Sequence, residues 1–167
     1  MSVSRFLCFM MCLSVAASVA NAQAVLPEHD RGTSLNSNVF GLGLFGGPAT
    51  GLGLSFRHHL PSPFSYQVTG GIIKVDEKLS YDIGAEGQFD FVRSTTSRFF
   101  VGGGVSYFYS GRSGHNEMNG PGRVGLGVGG ELAMTSGINT TIELMFTYFS
   151  DGTVLPLPQF GLHYYFY

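Results

Sequence analysis

From Phe40 onward, apolar and polar side chains alternate with a period of two, the pattern of strands that present unlike surroundings to their two faces. One face of each segment is apolar. The first offers Phe40, Leu42 and Leu44, the second Leu52, Leu54 and Phe56, and the third Phe64, Tyr66, Val68 and Ile72. Leu79, Tyr81, Ile83, Ala85, Phe89 and Phe91 mark the fourth, and Phe99, Val101, Val105, Tyr107 and Tyr109 the fifth. The sixth carries Val124, Leu126, Val128, Leu132 and Met134, the seventh Ile138, Ile142, Leu144, Phe146 and Tyr148. Phe160, Leu162, Tyr164 and Phe166 make the last. The opposite faces are small and polar, as in Ser65-x-Gln67-x-Thr69 and Glu86-x-Gln88-x-Asp90. Turn residues separate the segments: Gly46-Gly47-Pro48, Pro61-Ser62-Pro63, Asp76-Glu77, Ser94–Ser97, Ser136-Gly137 and Asp151-Gly152. One connection, Ser110–Gly122, is longer. Eight antiparallel strands joined in this way predict an all-β, eight-stranded up-and-down barrel.

Composition decides which way the barrel faces. A water-soluble barrel hides its apolar face and shows a surface dense in Lys and Glu. Here charged residues are only 12% of the chain, about half the usual share of roughly 25%. The polar face is mostly Gly, Ser and Thr, which suits an interior, so the apolar face is expected to meet lipid in a transmembrane barrel. Each segment covers about 8–13 residues, near the ~9–11 that a tilted strand needs to cross a bilayer. Aromatics gather near strand ends, as in interfacial girdles: Phe64, Tyr66, Phe89, Phe91, Tyr107, Tyr109, Tyr148 and Tyr164. The balance of 9 Lys+Arg against 11 Asp+Glu leaves no basic footprint for nucleic acid. A hydrophobic share of 44% excludes a disordered chain.

The first 22 residues predict an export signal. Arg5 precedes an apolar stretch from Phe6 to about Leu13, and Ala20-Asn21-Ala22 supplies the small-x-small cleavage pattern at Ala20 and Ala22. The stretch is too short for a helical span of ~20 residues. Cys8 and Cys12 both lie inside it with no lipidation box, so the exported chain is expected to lack cysteine and to be stable without disulfides. The expected organisation is a signal at 1–22, a short tail at 23–37 and a barrel at 38–167, with no further domain after the last strand.

The closing pattern Phe160-x-Leu162-x-Tyr164-x-Phe166 resembles the C-terminal insertion signal of outer-membrane barrels, although Tyr167 follows the aromatic that normally ends it. Either the signal tolerates the extra residue or the last strand shifts by one. With the export signal and eight strands, the chain resembles the small eight-stranded outer-membrane barrels, the OmpA/OmpX-like and opacity-protein-like group. The resemblance implies the outer membrane of a Gram-negative bacterium, insertion by the barrel-assembly machinery, contact with membrane lipid and lipopolysaccharide, and no cofactor. With the N-terminus on the periplasmic side, segments 46–49, 75–78, 110–122 and 150–157 would face outside, and 59–63, 92–97 and 135–137 the periplasm.

Candidate chemistry concentrates inside. Asp82, Glu86, Asp90, Glu131 and Glu143 are expected to face the lumen together with Arg57, Arg98 and Arg123. Such charges must be paired or hydrated. Pairing about the Ser94–Ser97 turn sets Asp90 opposite Arg98, while Glu131 and Glu143 repel unless an arginine or a shared proton intervenes. This set predicts either a plug of hydrogen bonds or a water-filled, cation-preferring pore. An eight-stranded barrel is about wide enough for side chains to fill, but many inward glycines weaken that inference. Gly41, Gly43 and Gly46 match a dinucleotide-binding spacing without the helix it requires, and read as space-making residues. His58 is expected on the outer wall, His59 at the following turn, and His115 beside Ser113 and Glu117 in the long loop, where the three could form a base and nucleophile. Some barrels of the resembled class modify lipid A with comparable sets. Asn139-Thr140-Thr141 matches a glycosylation acceptor but would sit inside the barrel. The leading expectation is a non-enzymatic envelope or surface-contact protein with an unknown surface partner. A small pore is second and a lipid A-modifying enzyme third.

Overall fold

The computed structural model describes residues 38–112, 114–134 and 137–166. The expected signal with Ala20 and Ala22, the 23–37 tail, Ser113 and Tyr167 lie outside the described residues. Among these, the chain forms nine strands and no helix: β1 (Val39–Gly47), β2 (Gly51–His59), β3 (Phe64–Val75), β4 (Lys78–Arg93), β5 (Ser97–Arg112), β6 (His115–Asn116), β7 (Gly122–Ala133), β8 (Ile138–Phe149) and β9 (Val154–Phe166). All but β6 make the wall. Each pairs antiparallel with its neighbours, and β1 pairs with β9 from Phe40↔Phe166 to Gly46↔Phe160, which closes an eight-stranded barrel.

The period-two alternation lands as the sequence predicts. Outward side chains such as Leu54, Leu126 and Phe146 are exposed, whereas the inward Arg57, Gln67, Glu131 and Thr141 are buried. Apolar residues therefore cover the outside and polar residues fill the inside, the reverse of a soluble domain. Phe160, Leu162, Tyr164 and Phe166 all point outward through the end of β9, so the last strand keeps its predicted phase up to Phe166.

Four local features depart from the expected pattern. First, β9 begins at Val154, inside the stretch expected to be a 150–157 loop. Pro156 and Pro158 are tolerated because Tyr165 N–H donates to Gly137 O, so odd-numbered residues of β9 bond to β8. The even-numbered prolines thus present their missing N–H towards β1, which has already ended. Second, β4 carries a bulge at Phe91, where Asp90 pairs with Phe100 and Val92 with Phe99, so both Phe91 and Val92 face outward. Third, part of the 110–122 connection is ordered. β6 pairs back on β5 through Gly111↔Asn116 and Arg112↔His115. The Asn116 Oδ1 accepts Ser110 N–H and Met118 N–H, each at 3.1 Å, and its Nδ2 donates to Phe108 O at 3.0 Å.

The fourth departure matters most. The turn expected to project at 46–49 instead folds into the lumen: Ala49 is 0% exposed and Thr50 1%. Gly51 and Gly53, at φ 112° and 130°, give the left-handed backbone that bends the hairpin inward. Gly84 on β4 takes the close approach, since a Cβ there would strike the Thr50 carbonyl.

Candidate functional site

The largest constellation of polar groups is the one the wall encloses. Glu131, from β7, lies between two arginines donated by different strands. Arg57 Nη1 and Arg98 Nε donate to the same oxygen, Glu131 Oε2, at 2.9 and 2.7 Å. The other oxygen, Oε1, accepts from the Tyr165 hydroxyl at 2.5 Å and from Asn139 Nδ2 at 3.1 Å. All three charged side chains are 0% exposed. Burying an ion pair is costly unless its remaining hydrogen-bonding capacity is met. Here Arg57 also donates to Gln67 through Nε and Nη2 and to Thr141 Oγ1. Arg98 also donates to Asp90 Oδ1 at 2.7 Å, Ser65 Oγ at 2.8 Å and Gln88 Oε1 at 2.6 Å.

The network continues towards both ends. At the end carrying the start of β1 and the end of β9, Arg93 Nε donates to Asp90 Oδ2 at 2.7 Å and its Nη1 to Leu60 O. Away from it, Glu143 Oε1 lies 3.6 Å from Arg57 Nη2, while Gln88 Nε2 bridges Glu86 Oε1 at 2.8 Å and Glu143 Oε1 at 3.3 Å. Gln159 then joins carboxylate to turn: its Nε2 donates to Glu143 Oε2, and its Oε1 accepts from Ala49 N–H at 3.0 Å and Thr50 Oγ1 at 3.2 Å.

Of the eight predicted lumen charges, six join this network: Arg57, Glu86, Asp90, Arg98, Glu131 and Glu143. Asp82 and Arg123 stand apart and hold the tucked hairpin. Leu52 N–H donates to Asp82 Oδ1 at 2.6 Å, and Arg123 Nη1 to Pro48 O at 2.7 Å. The Arg123 guanidinium lies over the Phe108 ring at 3.8 Å and the Phe149 ring at 4.9 Å. Asp90 does contact Arg98, though the bulge sets it opposite Phe100 instead. Arg57, reaching from across the barrel, is the arginine that separates Glu131 from Glu143.

Several large inward residues lie outside the charged set that the sequence marks. Phe45, Phe100, Met145 and Tyr165 are buried. They occupy the inward phase of their strands, so strand parity alone would place them there. The glycines opposite are their counterpart: a Cβ at Gly161 would strike Phe45, one at Gly129 would strike Phe100, and one at Gly41 would strike Tyr165. These three glycines therefore make room for large side chains of the directly paired neighbouring strand, which help to fill the lumen.

His59 is the last residue of β2, not part of the turn. It points inward, is 0% exposed and places Nε2 2.7 Å from the Tyr165 hydroxyl. His58 sits on the outer wall as expected, stacked on Phe40 at 4.2 Å, with Nδ1 3.0 Å from the Tyr66 hydroxyl. His115 is exposed on β6, and Glu117 pairs with Lys78 at 3.5 Å. Among the described residues no group of His, Cys, Asp or Glu has a metal-binding arrangement. The Asn139 of the glycosylation pattern is buried against Glu131. Beyond the wall, the exposed Asp151 carboxylate accepts Thr153 N–H at 2.9 Å, which holds it below the usual carboxylate range.

The buried charges are unequal. Glu86, Asp90, Glu131 and Glu143 face Arg57 and Arg98, with Arg93 added at the rim. Glu86 is the carboxylate least served, since its Oε2 has no hydrogen-bond partner. Replacing it with the neutral isostere, Glu86→Gln, is therefore expected to leave stability within about 1 kcal/mol of the parent or to raise it, because a desolvated charge is removed with little lost pairing. The urea midpoint of lipid-reconstituted protein checks this, and a drop like that from loss of a paired buried charge would contradict it.

No family model, curated protein or solved structure matches the chain. The class defined by the fold is a closed eight-stranded antiparallel barrel with an apolar exterior and a packed, charged interior.

Proposed function

We propose that the protein is an integral outer-membrane barrel of the small eight-stranded kind, non-enzymatic, with a closed lumen and an envelope-structural or surface-contact role. The observation that carries this reading is the exterior. The outward positions of the wall strands are occupied almost throughout by apolar side chains that are largely exposed, among them Leu54, Ile83, Leu126, Ile142, Phe146 and Phe160. Such a surface is stable in hydrocarbon and unstable in water, and the paired, closed part of the wall meets the backbone hydrogen bonds that a bilayer cannot. Tyr66, Tyr107 and Tyr148 on the same face have the amphipathic rings suited to the bilayer interface.

In this orientation the start of β1 and the end of β9 face the periplasm. The Asn116-braced 110–122 segment and the 150–153 turn face outside, available for contact with a surface partner. Lipid and lipopolysaccharide surround the wall, the assembly machinery reads the last strand, and no cofactor is required. The filled lumen argues against the pore reading, because Arg57, Arg98 and Glu131 leave no water-exposed surface and the 48–50 turn covers them from outside. The enzyme reading has its acid, Glu117, engaged with Lys78. Protein inserted in a planar bilayer is expected to give no discrete conductance steps, and reproducible steps abolished by Glu86→Gln would overturn the closed lumen.

A further inference from the structure

We infer that Glu86 keeps a proton at neutral pH and that this proton is a latch: with it the 48–50 turn stays seated in the lumen, and without it the turn is released. The inference concerns the enclosed lumen and holds whatever surrounds the wall.

The charges of the enclosed network do not balance. Among the described residues, Glu86, Asp90, Glu131 and Glu143 face three guanidinium groups, those of Arg57, Arg93 and Arg98. Each arginine is already committed. Arg93 Nη2 lies 2.5 Å from Asp90 Oδ2, Arg98 divides between Asp90 and Glu131, and Arg57 stands between Glu131 and Glu143. Glu86 is the carboxylate left without an ion pair. The histidines do not make up the difference. Tyr165 donates its hydroxyl proton to Glu131, so His59 Nε2–H donates to Tyr165. Neither His59 Nδ1 nor His163 Nδ1 has a hydrogen-bond partner, so a second proton on either ring would be buried and unserved in a site that already holds Arg57 and Arg98.

Hydrogen bonds decide which carboxyl holds the proton. Gln88 Nε2 donates to Glu86 Oε1 at 2.8 Å and to Glu143 Oε1 at 3.3 Å, so the two carboxyl groups meet on one amide. Two like charges sharing a site do not both ionise readily. Glu143 has Gln159 Nε2 at 3.0 Å and Arg57 Nη2 at 3.6 Å besides that amide. Glu86 has the amide alone, and its Oε2 has no partner. The proton therefore belongs on Glu86, because an unserved neutral carboxyl costs less to bury than an unserved charge.

The same chain of bonds seats the turn. Gln159, which donates to Glu143, accepts Ala49 N–H and the Thr50 hydroxyl through its other end. Thr50 and Glu86 also lie against one glycine, since a Cβ at Gly104 would strike Thr50 and come close to Glu86. The charged and titratable groups around Glu86 are Arg57 from β2, Asp90 from β4, Arg98 from β5, Glu131 from β7, Glu143 from β8 and His163 from β9. All are buried, so an ionised Glu86 reaches water only past the turn. The turn is held by few bonds and yields before the wall does.

The test uses protein produced from the full chain in dodecylphosphocholine micelles, whose detergent has no ester carbonyl to mask a protonated carboxyl in the infrared. A carboxylic-acid C=O band is expected at neutral pH, absent from Glu86→Gln and lost from the parent at alkaline pH. Where the band persists, the folded protein holds a proton that the unfolded chain has released. The parent's folding equilibrium therefore falls about tenfold per pH unit relative to Glu86→Gln. At the alkaline pH where the band has gone, Thr50→Cys should react with a maleimide at least about tenfold faster than the same cysteine in the Glu86→Gln background. No acid band at neutral pH, or a band that survives Glu86→Gln, overturns the assignment. Equal thiol rates in the two backgrounds overturn the latch. Should Glu86→Gln fail to fold, the band of the parent and the rate at Thr50→Cys must change over the same pH range, and a mismatch overturns the inference.

Discussion

Glu131→Gln is expected to destabilise the barrel by about 3–5 kcal/mol, the cost of removing one partner from a buried ionic network. The loss is large because one carboxylate serves two arginines. Arg57 Nη1 and Arg98 Nε both end on Oε2, and both guanidinia are 0% exposed, so neither can turn to water when the charge goes. A glutamine retains the shape and one acceptor oxygen, so the experiment isolates charge from packing. Urea titration of lipid-reconstituted protein, read beside Glu86→Gln, gives the measurement. The account predicts a large drop for position 131 and little change or a gain for position 86. Equal effects at both would mean that the lumen does not distinguish its carboxylates, and that the arginines are not centred on Glu131.

Gly84→Ala should expel the 48–50 turn. The added methyl meets the backbone carbonyl of Thr50, which cannot rotate away as a side-chain tip could. Overpacking of this kind costs about 1–3 kcal/mol, and the turn, held by a few polar bonds, yields before the eight-stranded wall, raising its open population roughly 10–100-fold. Thr50→Cys reports the movement. At 1% exposure the thiol should react slowly with a membrane-impermeant maleimide, and at least about tenfold faster once Gly84→Ala is added. An unchanged rate would mean that β4 gives way and the turn remains seated.

The fold was legible because it depends on parity. Each wall strand repeats one decision, apolar out and polar in, and a single slip would turn a whole strand over. That redundancy placed Phe160, Leu162, Tyr164 and Phe166 and the charged lumen set without any contact information. The features that escaped depend on particular neighbours. Pro156 and Pro158 read as loop residues, yet they lie in β9 because the strand that would need their N–H ends before reaching them, a fact of pairing across more than a hundred residues. Gly46-Gly47-Pro48 marks a turn correctly, but its inward course is set by space left at Gly84 and by acceptors on Gln159 and Asp82. Phe45, Phe100, Met145 and Tyr165 carry no charge to mark them as lumen residues, although their phase assigns them to the interior. The glycines that suggested an open lumen are the space those side chains fill.

The most direct test of the central claim, that the exterior of this barrel sits in lipid, is a nitroxide scan along β8. The only cysteines are Cys8 and Cys12, both in the proposed signal, so a cysteine introduced at Ile142, Leu144 or Phe146 is labelled alone in the processed protein. In vesicles, the account predicts frequent collisions of all three labels with dissolved oxygen and few with a water-soluble nickel chelate. High nickel accessibility at these three outward positions would place them in water and contradict the membrane barrel.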